Sequence, residues 1–597
     1  MIRMIIILFC LIFNSCGNTQ LLSVDVNKVG NNRPISVIGN DDKSQSYIMA
    51  ENYGAKGDAL QLSDFSLKGD ILSSPTASFT NLDIGKSVSI AFAGKNAEHL
   101  VSTIISVIDN NKVKIADKAS KDVVNVLGSY GTDNIKYLQN AIDAAINLDK
   151  TLYVDEGIYL IGDRNSITGN TSLRINMNKN NQSFRLVGAG KNKTIFREID
   201  GKTQRLGRYT KIFYHYLNNS NNINEIELSN FSIDKNGRSL TKSPATLYTW
   251  EQAHGWSWAA SKNVSSKINA IILRDLEIID KIGAGINFSS SNVLVNDVVI
   301  QNITERNFNG SIKGAINYGQ RGDLEISCFS PSITMKELDL RYIQIEPVRS
   351  MSAIKGRERH VTIKNSIIQT LDYTESDNGN PLYSSLTVDS LVSSNFLVRS
   401  IRFSVTHSTL SVKNLINSVD GSFRNCRFLL PYDLETNKIK PINNSYLKTL
   451  GNIKNNIVYD NCSFIIDDSN PSIKPIGNAL TASSKVTRLD NNTITIQNCT
   501  FDERLETTVN AYGNGSWSFI NNKLAGRDKI IIGGSYGVYT SQMTLNNNTI
   551  TNNSQGEIFV NNNNDLWTID ISQENEEITQ RLKLKKPRSF KKNQIIK

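Results

Sequence analysis

Ile494-Thr495-Ile496-Gln497-Asn498-Cys499-Thr500-Phe501 decides the fold. β-Branched residues alternate up to Gln497, the period of a half-buried strand, and the Asn that follows breaks it. The same turn is written at Asn425-Cys426-Arg427-Phe428 and Asn461-Cys462-Ser463-Phe464. Looser forms, an Asn or Asp with an apolar residue three positions on, occur at Asn230/Ile233, Asp275/Ile278, Asp297/Ile300, Asn365/Ile368, Asn521/Leu524 and Asn547/Ile550, with Glu337/Leu340 and His407/Leu410 as variants. Strand runs such as Ile333-Thr334-Met335 and Val361-Thr362-Ile363 precede them. Successive markers lie 18 (425 − 407) to 45 (275 − 230) residues apart. That spread excludes a tight repeat. It fits an all-β, right-handed, single-stranded parallel β-helix, whose coils need roughly 20 or more residues and take insertions in one loop without disturbing the stack.

An Asn at a sharp corner can hydrogen-bond the backbone of the coils above and below, satisfying groups that a bend would orphan. Positions 365, 425, 461 and 498 are therefore expected to lie over one another. One residue on, Cys426, Cys462 and Cys499 are expected to point inward as a thiol stack. No His or acid shares their spacing, which argues against a metal or redox site. With Cys328 these are the cysteines beyond the leader, too few for disulfides to hold so long a chain.

At 597 residues, with 39% hydrophobic and 20% charged residues, the chain is neither disordered nor fibrous. Its formal charge is 66 − 56 = +10, but Arg581 to Lys597 alone carries eight basic residues and no acid, leaving the body near +2. A nucleic-acid-coating surface needs positive charge spread over a face, so no nucleic-acid partner is expected.

Met1 to Ser15 holds Arg3 and a short apolar run, too short to span a bilayer and suited to a secretion signal. Phe13-Asn14-Ser15-Cys16-Gly17 resembles the lipobox of bacterial lipoproteins. The resemblance implies a signal peptide over 1–15, lipidation of Cys16, a tether over 16–50 and an exported protein anchored to a bacterial membrane, at the outer membrane or cell surface.

Asn52-Tyr53-Gly54-Ala55-Lys56-Gly57-Asp58 resembles the opening motif of the pectate-lyase superfamily of β-helix proteins, the group of polygalacturonases, rhamnogalacturonases and phage tailspike depolymerases. After an insertion, Tyr130 to Asn134, Leu138 to Ala145 and Leu152 to Tyr159 resemble that family's next pieces in order. The resemblance implies a β-helix over 51–572 with an inserted β module (59–128), a capping helix (133–147) and a basic tail (573–597). Residue chemistry agrees: Ile135, Leu138, Ile142 and Ala145 share one helical face, Asp133 is placed to cap its start, and Asp109-Asn110-Asn111 reads as a hairpin turn.

The family's glycan groove along one parallel sheet implies a polysaccharide partner. Ile282-Gly283-Ala284-Gly285-Ile286-Asn287 lacks the aspartates of the polygalacturonase branch. β-Elimination on an acidic, uronate-containing polysaccharide is then the leading expectation, and that chemistry needs a base and cations. Lys355, Arg357 and Arg359, beside Glu346, are the catalytic candidates, and Arg349 the sugar-binding one. In Trp250 to Trp258, Trp256 and Trp258 are candidate sugar-stacking platforms, His254 a substrate contact and Glu251 a general acid. Asn287, Asn317 and Gln344 fall in similar strand contexts and could line a groove with amides. Hydrolysis by paired carboxylates that include Glu251 and Glu346, and a non-catalytic glycan-binding surface protein, stay open. So do a need for Ca²⁺, any metal ligands and a trimeric assembly.

Overall fold

In a computed structural model the described residues run from Tyr47 to Asp570, apart from the segments 163–172, 237–254, 307–322, 346–358, 375–383, 446–455 and 482–492 and several shorter ones. Among the described residues thirty-five strands form one continuous sheet whose pairings are parallel, each strand bonded to its counterpart one coil on. Each full coil lays strand segments on three sheets.

The first sheet carries the alternating runs read from the sequence. Val361 pairs with Ile333 and Leu386, Phe423 with Val405 and Tyr459, and Ile496 with Tyr459 and Phe519. Its apolar side chains are buried, while the intervening Thr, Ser and charged residues face outward.

The next residue in each coil is the corner. Asn230, Asp275, Asn302, Glu337, Asn365, Ser390, His407, Asn425, Asn461, Asn498 and Asn521 all take a left-handed backbone, with φ between 48° and 62°. Asn, Asp and His tolerate that region better than other L residues, which explains the bias. The positions stack. The main-chain N–H groups of Asn425, Asn461 and Asn498 donate to Asp460, Gln497 and Ile520 on the following coil. Side chains link as well: Asn461 Nδ2 donates to Asn425 Oδ1 (2.8 Å), Asn425 pairs with His407 (3.2 Å) and His407 with Asp389 (2.9 Å). The side chains thus form a ladder on the exposed edge, and the bonds to the neighbouring coil's backbone come from the main-chain N–H groups.

One expectation needs correction. Asp297 is no corner; it sits on the outward face of strand Val293–Arg306, and Asn302 makes the turn. The spacing rule failed because Glu305 takes an inward register position opposite Ile278, its carboxylate held by Arg341 at 3.0 Å. Ser390 supplies a corner inside the interval between Asn365 and His407.

Behind the corner, Cys426, Cys462 and Cys499 are buried, and the Cys462 N–H points at Cys499 Sγ (3.4 Å). The column continues through Asn522 and Asn548, where Asn522 Nδ2 donates to Asn548 Oδ1 (2.9 Å). Three residues beyond the corner column, Phe428, Phe464 and Phe501 stack with centroids 4.9 and 4.7 Å apart.

Ile135–Leu148 is the one α-helix among the described residues, and it buries Leu138, Ala141, Ile142, Ala145 and Ile146 against the first coil. Asp133 Oδ1 accepts the Ile135 N–H at 3.1 Å. Between the opening motif and this helix, six antiparallel strands between Leu60 and Gly131 close a small barrel with its own core of Phe65, Leu72, Val88, Ile104 and Val113.

Candidate functional site

Over seven successive coils the third sheet is built from segments of one design, an apolar residue, a polar one and a third residue that is apolar everywhere but at His215. Leu173-Arg174-Ile175, Phe213-Tyr214-His215, Trp256-Ser257-Trp258, Ile286-Asn287-Phe288, Leu324-Glu325-Ile326, Ile343-Gln344-Ile345 and Leu371-Asp372-Tyr373 follow one another in register. Alternation sends Ile286 and Phe288 into the core and the residue between them outward. The outward row is therefore Arg174, Tyr214, Ser257, Asn287, Glu325, Gln344, Asp372.

Two carboxylates lie in that row, Glu325 and Asp372, separated by Gln344. At ~4.8 Å per strand their backbones stand about 10 Å apart. Asn287 and Glu325 are withdrawn from solvent although they face away from the core. Asn287 Nδ2 donates to Glu325 Oε2 at 2.5 Å, which leaves Asn287 Oδ1 buried without a hydrogen-bond partner. A buried amide oxygen in that state is an acceptor available to a hydroxyl.

At the upper end of the row the Lys211 ammonium sits 4.1 Å above the Tyr214 ring. Burial, with a smaller push from the nearby Lys235 charge, brings its pKa down to about 8. Below the row Asp323 is fully buried, and its carboxylate is used up: Lys281 lies 2.7 Å from Oδ1, and the N–H groups of Arg341 and Tyr342 donate to Oδ2 at 2.6 and 2.9 Å. That carboxylate braces the turn into the sheet.

Of the residues singled out in the sequence, Asn287 and Gln344 lie in the row, and Glu325 occupies the place between them that Asn317 was expected to fill. Two need correction. Trp256 points inward and is fully buried, edge-on to Phe288 at 5.1 Å, so it packs the core and offers no platform to a sugar. Arg359 is buried at the residue before the first-sheet strand His360–Thr374; its main-chain N–H donates to Ser384 Oγ (3.3 Å) and its charge lies near Cys328, so it is no solvent-facing base. Trp258 belongs to the strand Trp256–Ala260, paired with His215 and Phe288, and its side chain is outside the described residues. Cys16, Glu251, His254, Asn317, Glu346, Arg349, Lys355 and Arg357 also lie outside them.

Burial raises the Cys328 thiol to about 12 despite the neighbouring Arg359 charge, which makes it a poor nucleophile. Among the described residues no group of three His, Cys, Asp or Glu is arranged to hold a metal ion.

Sequence reasoning missed Glu325, Asp372, Lys211 and Tyr214. The signal available was the repeated apolar-polar-apolar triplet, whose middle residue faces outward each time.

No family model matches the chain, and no curated protein matches it. Three solved structures are similar to the chain. The Agl-KA catalytic domain is 11% identical, covers 86% of this chain and 96% of that one, and has a TM-score of 0.29. The A-module of mannuronan C-5 epimerase AlgE6 of Azotobacter vinelandii is 11% identical over 76% and 96%, with a TM-score of 0.25. The catalytic domain of a GH87 α-1,3-glucanase in complex with tetrasaccharides is 12% identical over 88% and 87%, with a TM-score of 0.28. At such TM-scores no residue is carried across, and the coil architecture rests on the strand pairings themselves.

Proposed function

We propose that this protein is an exported polysaccharide-processing enzyme of right-handed parallel β-helix type, which cleaves a glycan lying along the outward row of the third sheet. The observation that carries the reading is the pair Glu325 and Asp372 on one outward row, two strands apart. Inverting glycoside hydrolysis requires one carboxylic acid to protonate the leaving oxygen and one carboxylate to activate a water, their carboxyl groups about 6.5–9.5 Å apart. A backbone separation of about 10 Å lies just above that range, and two side chains that lean toward each other reach it. Glu325, withdrawn from solvent beside Asn287, takes the part of the acid in this proposal. Asp372 is half-buried and in reach of water, which suits the base. Asn287, Gln344 and Ser257 are then hydrogen-bonding partners for sugar hydroxyls.

Right-handedness is supported by the general hand of parallel strand crossovers. Lipidation at Cys16, with tethering to a bacterial membrane, completes the proposal and rests on the lipobox-like leader. Metabolic palmitate labelling lost in Cys16→Ala tests it.

Incubation with a panel of neutral and uronate-containing polysaccharides tests the reaction. New reducing ends without near-ultraviolet absorbance are expected, and Glu325→Gln or Asp372→Asn should each lower the rate about 10²–10⁴-fold. Undiminished cleavage in both variants refutes the pair.

A second reading, β-elimination of an acidic polysaccharide, is favoured by Lys211, whose pKa of about 8 gives a neutral amine at mildly alkaline pH. Its mark would be an unsaturated, ultraviolet-absorbing product, lost in Lys211→Ala and kept in Glu325→Gln. Lys355, Arg357 and Arg349, in the segment that leaves the same sheet at Ile345, stay candidates for binding the acidic sugar. Glycan binding with neither product would indicate an adhesin.

A further inference from the structure

A second recess lies on the first sheet, away from the proposed catalytic row. It is a groove of about 330 Å³ over four successive coils, lined by Ser385, Thr387, Arg402, Ser404, Asp420 and Ser422, with Asn456 and Val458 at its end. Two columns run along it. Thr387, Ser404, Ser422 and Val458 face each other in register to form the floor, and Ser385 and Arg402, then Asp420 and Asn456, form one wall.

The floor offers three hydroxyls on adjacent strands, each able to donate and accept, and the Ser422 hydroxyl donates to Ser404 at 3.4 Å. In the wall Arg402 Nε stands 3.6 Å from Asp420 Oδ2, with both side chains about half exposed (47% and 49%). A loose, exposed pair of this kind adds little to folding. It does place a planar multiple donor beside a two-oxygen acceptor, a combination that matches neighbouring hydroxyls on one sugar ring. The two charges cancel, so the groove has no excess attraction for a polyanion. Its hydroxyls repeat every ~4.8 Å along the coil axis, close to the advance of an extended glycan per sugar.

We propose that this groove is a non-catalytic binding site for an extended neutral glycan, its rings lying along the coil axis over Thr387, Ser404 and Ser422 and hydrogen-bonded at the edge by Arg402 and Asp420. Such a site tethers a polymer whose other segments reach the third sheet, raising the effective concentration of cleavable linkages there.

Titration calorimetry on the full chain tests it, with cellohexaose and mannohexaose as neutral probes and hexagalacturonate as the anionic one. At least one neutral hexamer is expected to bind. Arg402→Ala, and Ser404→Gln, which fills the floor from the solvent side, should each weaken that binding at least tenfold while leaving the thermal midpoint in place. Glu325→Gln should leave the Arg402-dependent part of that binding unchanged, so that failure of the catalytic proposal and failure of this one are distinguishable. The proposal is overturned if neither neutral hexamer binds, if binding survives both first-sheet variants, or if only hexagalacturonate is held through Arg402.

Discussion

Asn461 is where the rule that builds the coil can be measured. Its φ is 52°, its N–H donates to Gln497, and its side chain donates to Asn425 Oδ1 at 2.8 Å. Asn461→Val forces a β-branched residue into the left-handed region, which costs about 1–2 kcal/mol, and removes one exposed hydrogen bond, which costs about 1 kcal/mol. Asn461→Gly loses the same hydrogen bond but carries no left-handed penalty. The expected loss is therefore about 2–3 kcal/mol for Val and about 1 kcal/mol for Gly. Urea unfolding of the full chain followed by tryptophan fluorescence gives both values from the shift in midpoint. The reciprocal change is Ser390→Asn, at a corner with φ of 60° that lacks the favoured residue, and it should stabilise by about 0.5–1 kcal/mol. Equal losses for Val and Gly would mean that backbone conformation does not select these corners, and the stacking rule would lose its physical basis.

Gly421→Ala should cost about 1–3 kcal/mol, because a Cβ there would fall 2.0 Å from the Phe403 ring; Phe403→Leu should recover most of the loss in the same urea titration. Lys211 carries its proton near pH 8 in the folded chain against 10.5 for the ordinary side chain. Its burial is thus a full cost below pH 8 that fades as the pH rises to 10.5, and Lys211→Met should remove that rise in stability. His215 is fully buried without a hydrogen-bond partner, and burial lowers its pKa to about 3 from 6.5. The unfolded chain takes up that proton first, so stability should fall from pH 6.5 towards 3, and His215→Leu should flatten that part of the melting-temperature profile.

The corners could be read from the sequence because a left-handed residue between two strands selects Asn, Asp or His, and the alternation on either side fixes which neighbours face inward. The rule failed where something else met the same physical need. Ser390 adopts the conformation without the preferred side chain, and Glu305 sits at an inward position because Arg341 neutralises it. The site was harder to read. Leu324-Glu325-Ile326 is too short to stand out as a strand, and only its pairing with Ile286 to Phe288 and Ile343 to Ile345 puts Glu325 beside Asn287. Trp256 was misread for the same reason: three tryptophans in nine residues suggest a binding loop until register places Trp256 between Phe213 and Ile286 in the interior.

The corner that makes the coil legible also explains where a site could evolve. From Asn230 to Asn521 one left-handed residue joins the first sheet to the second, and its main-chain N–H is committed to the next coil at several levels. An insertion there would break the ladder and move every inward residue to the wrong face. Length must be absorbed elsewhere, and it is: residues 237–254 and 307–322 lead into third-sheet strands, while 346–358, 375–383, 446–455 and 482–492 leave them. The third sheet is thus the face whose surroundings can vary without cost to the core, and it carries the row with two carboxylates and a buried, unpartnered amide oxygen. The first sheet, tied directly to the corner, has little such freedom. A recess there is shaped only by outward side chains on fixed strands, which suits holding a repeating polymer better than performing chemistry on it.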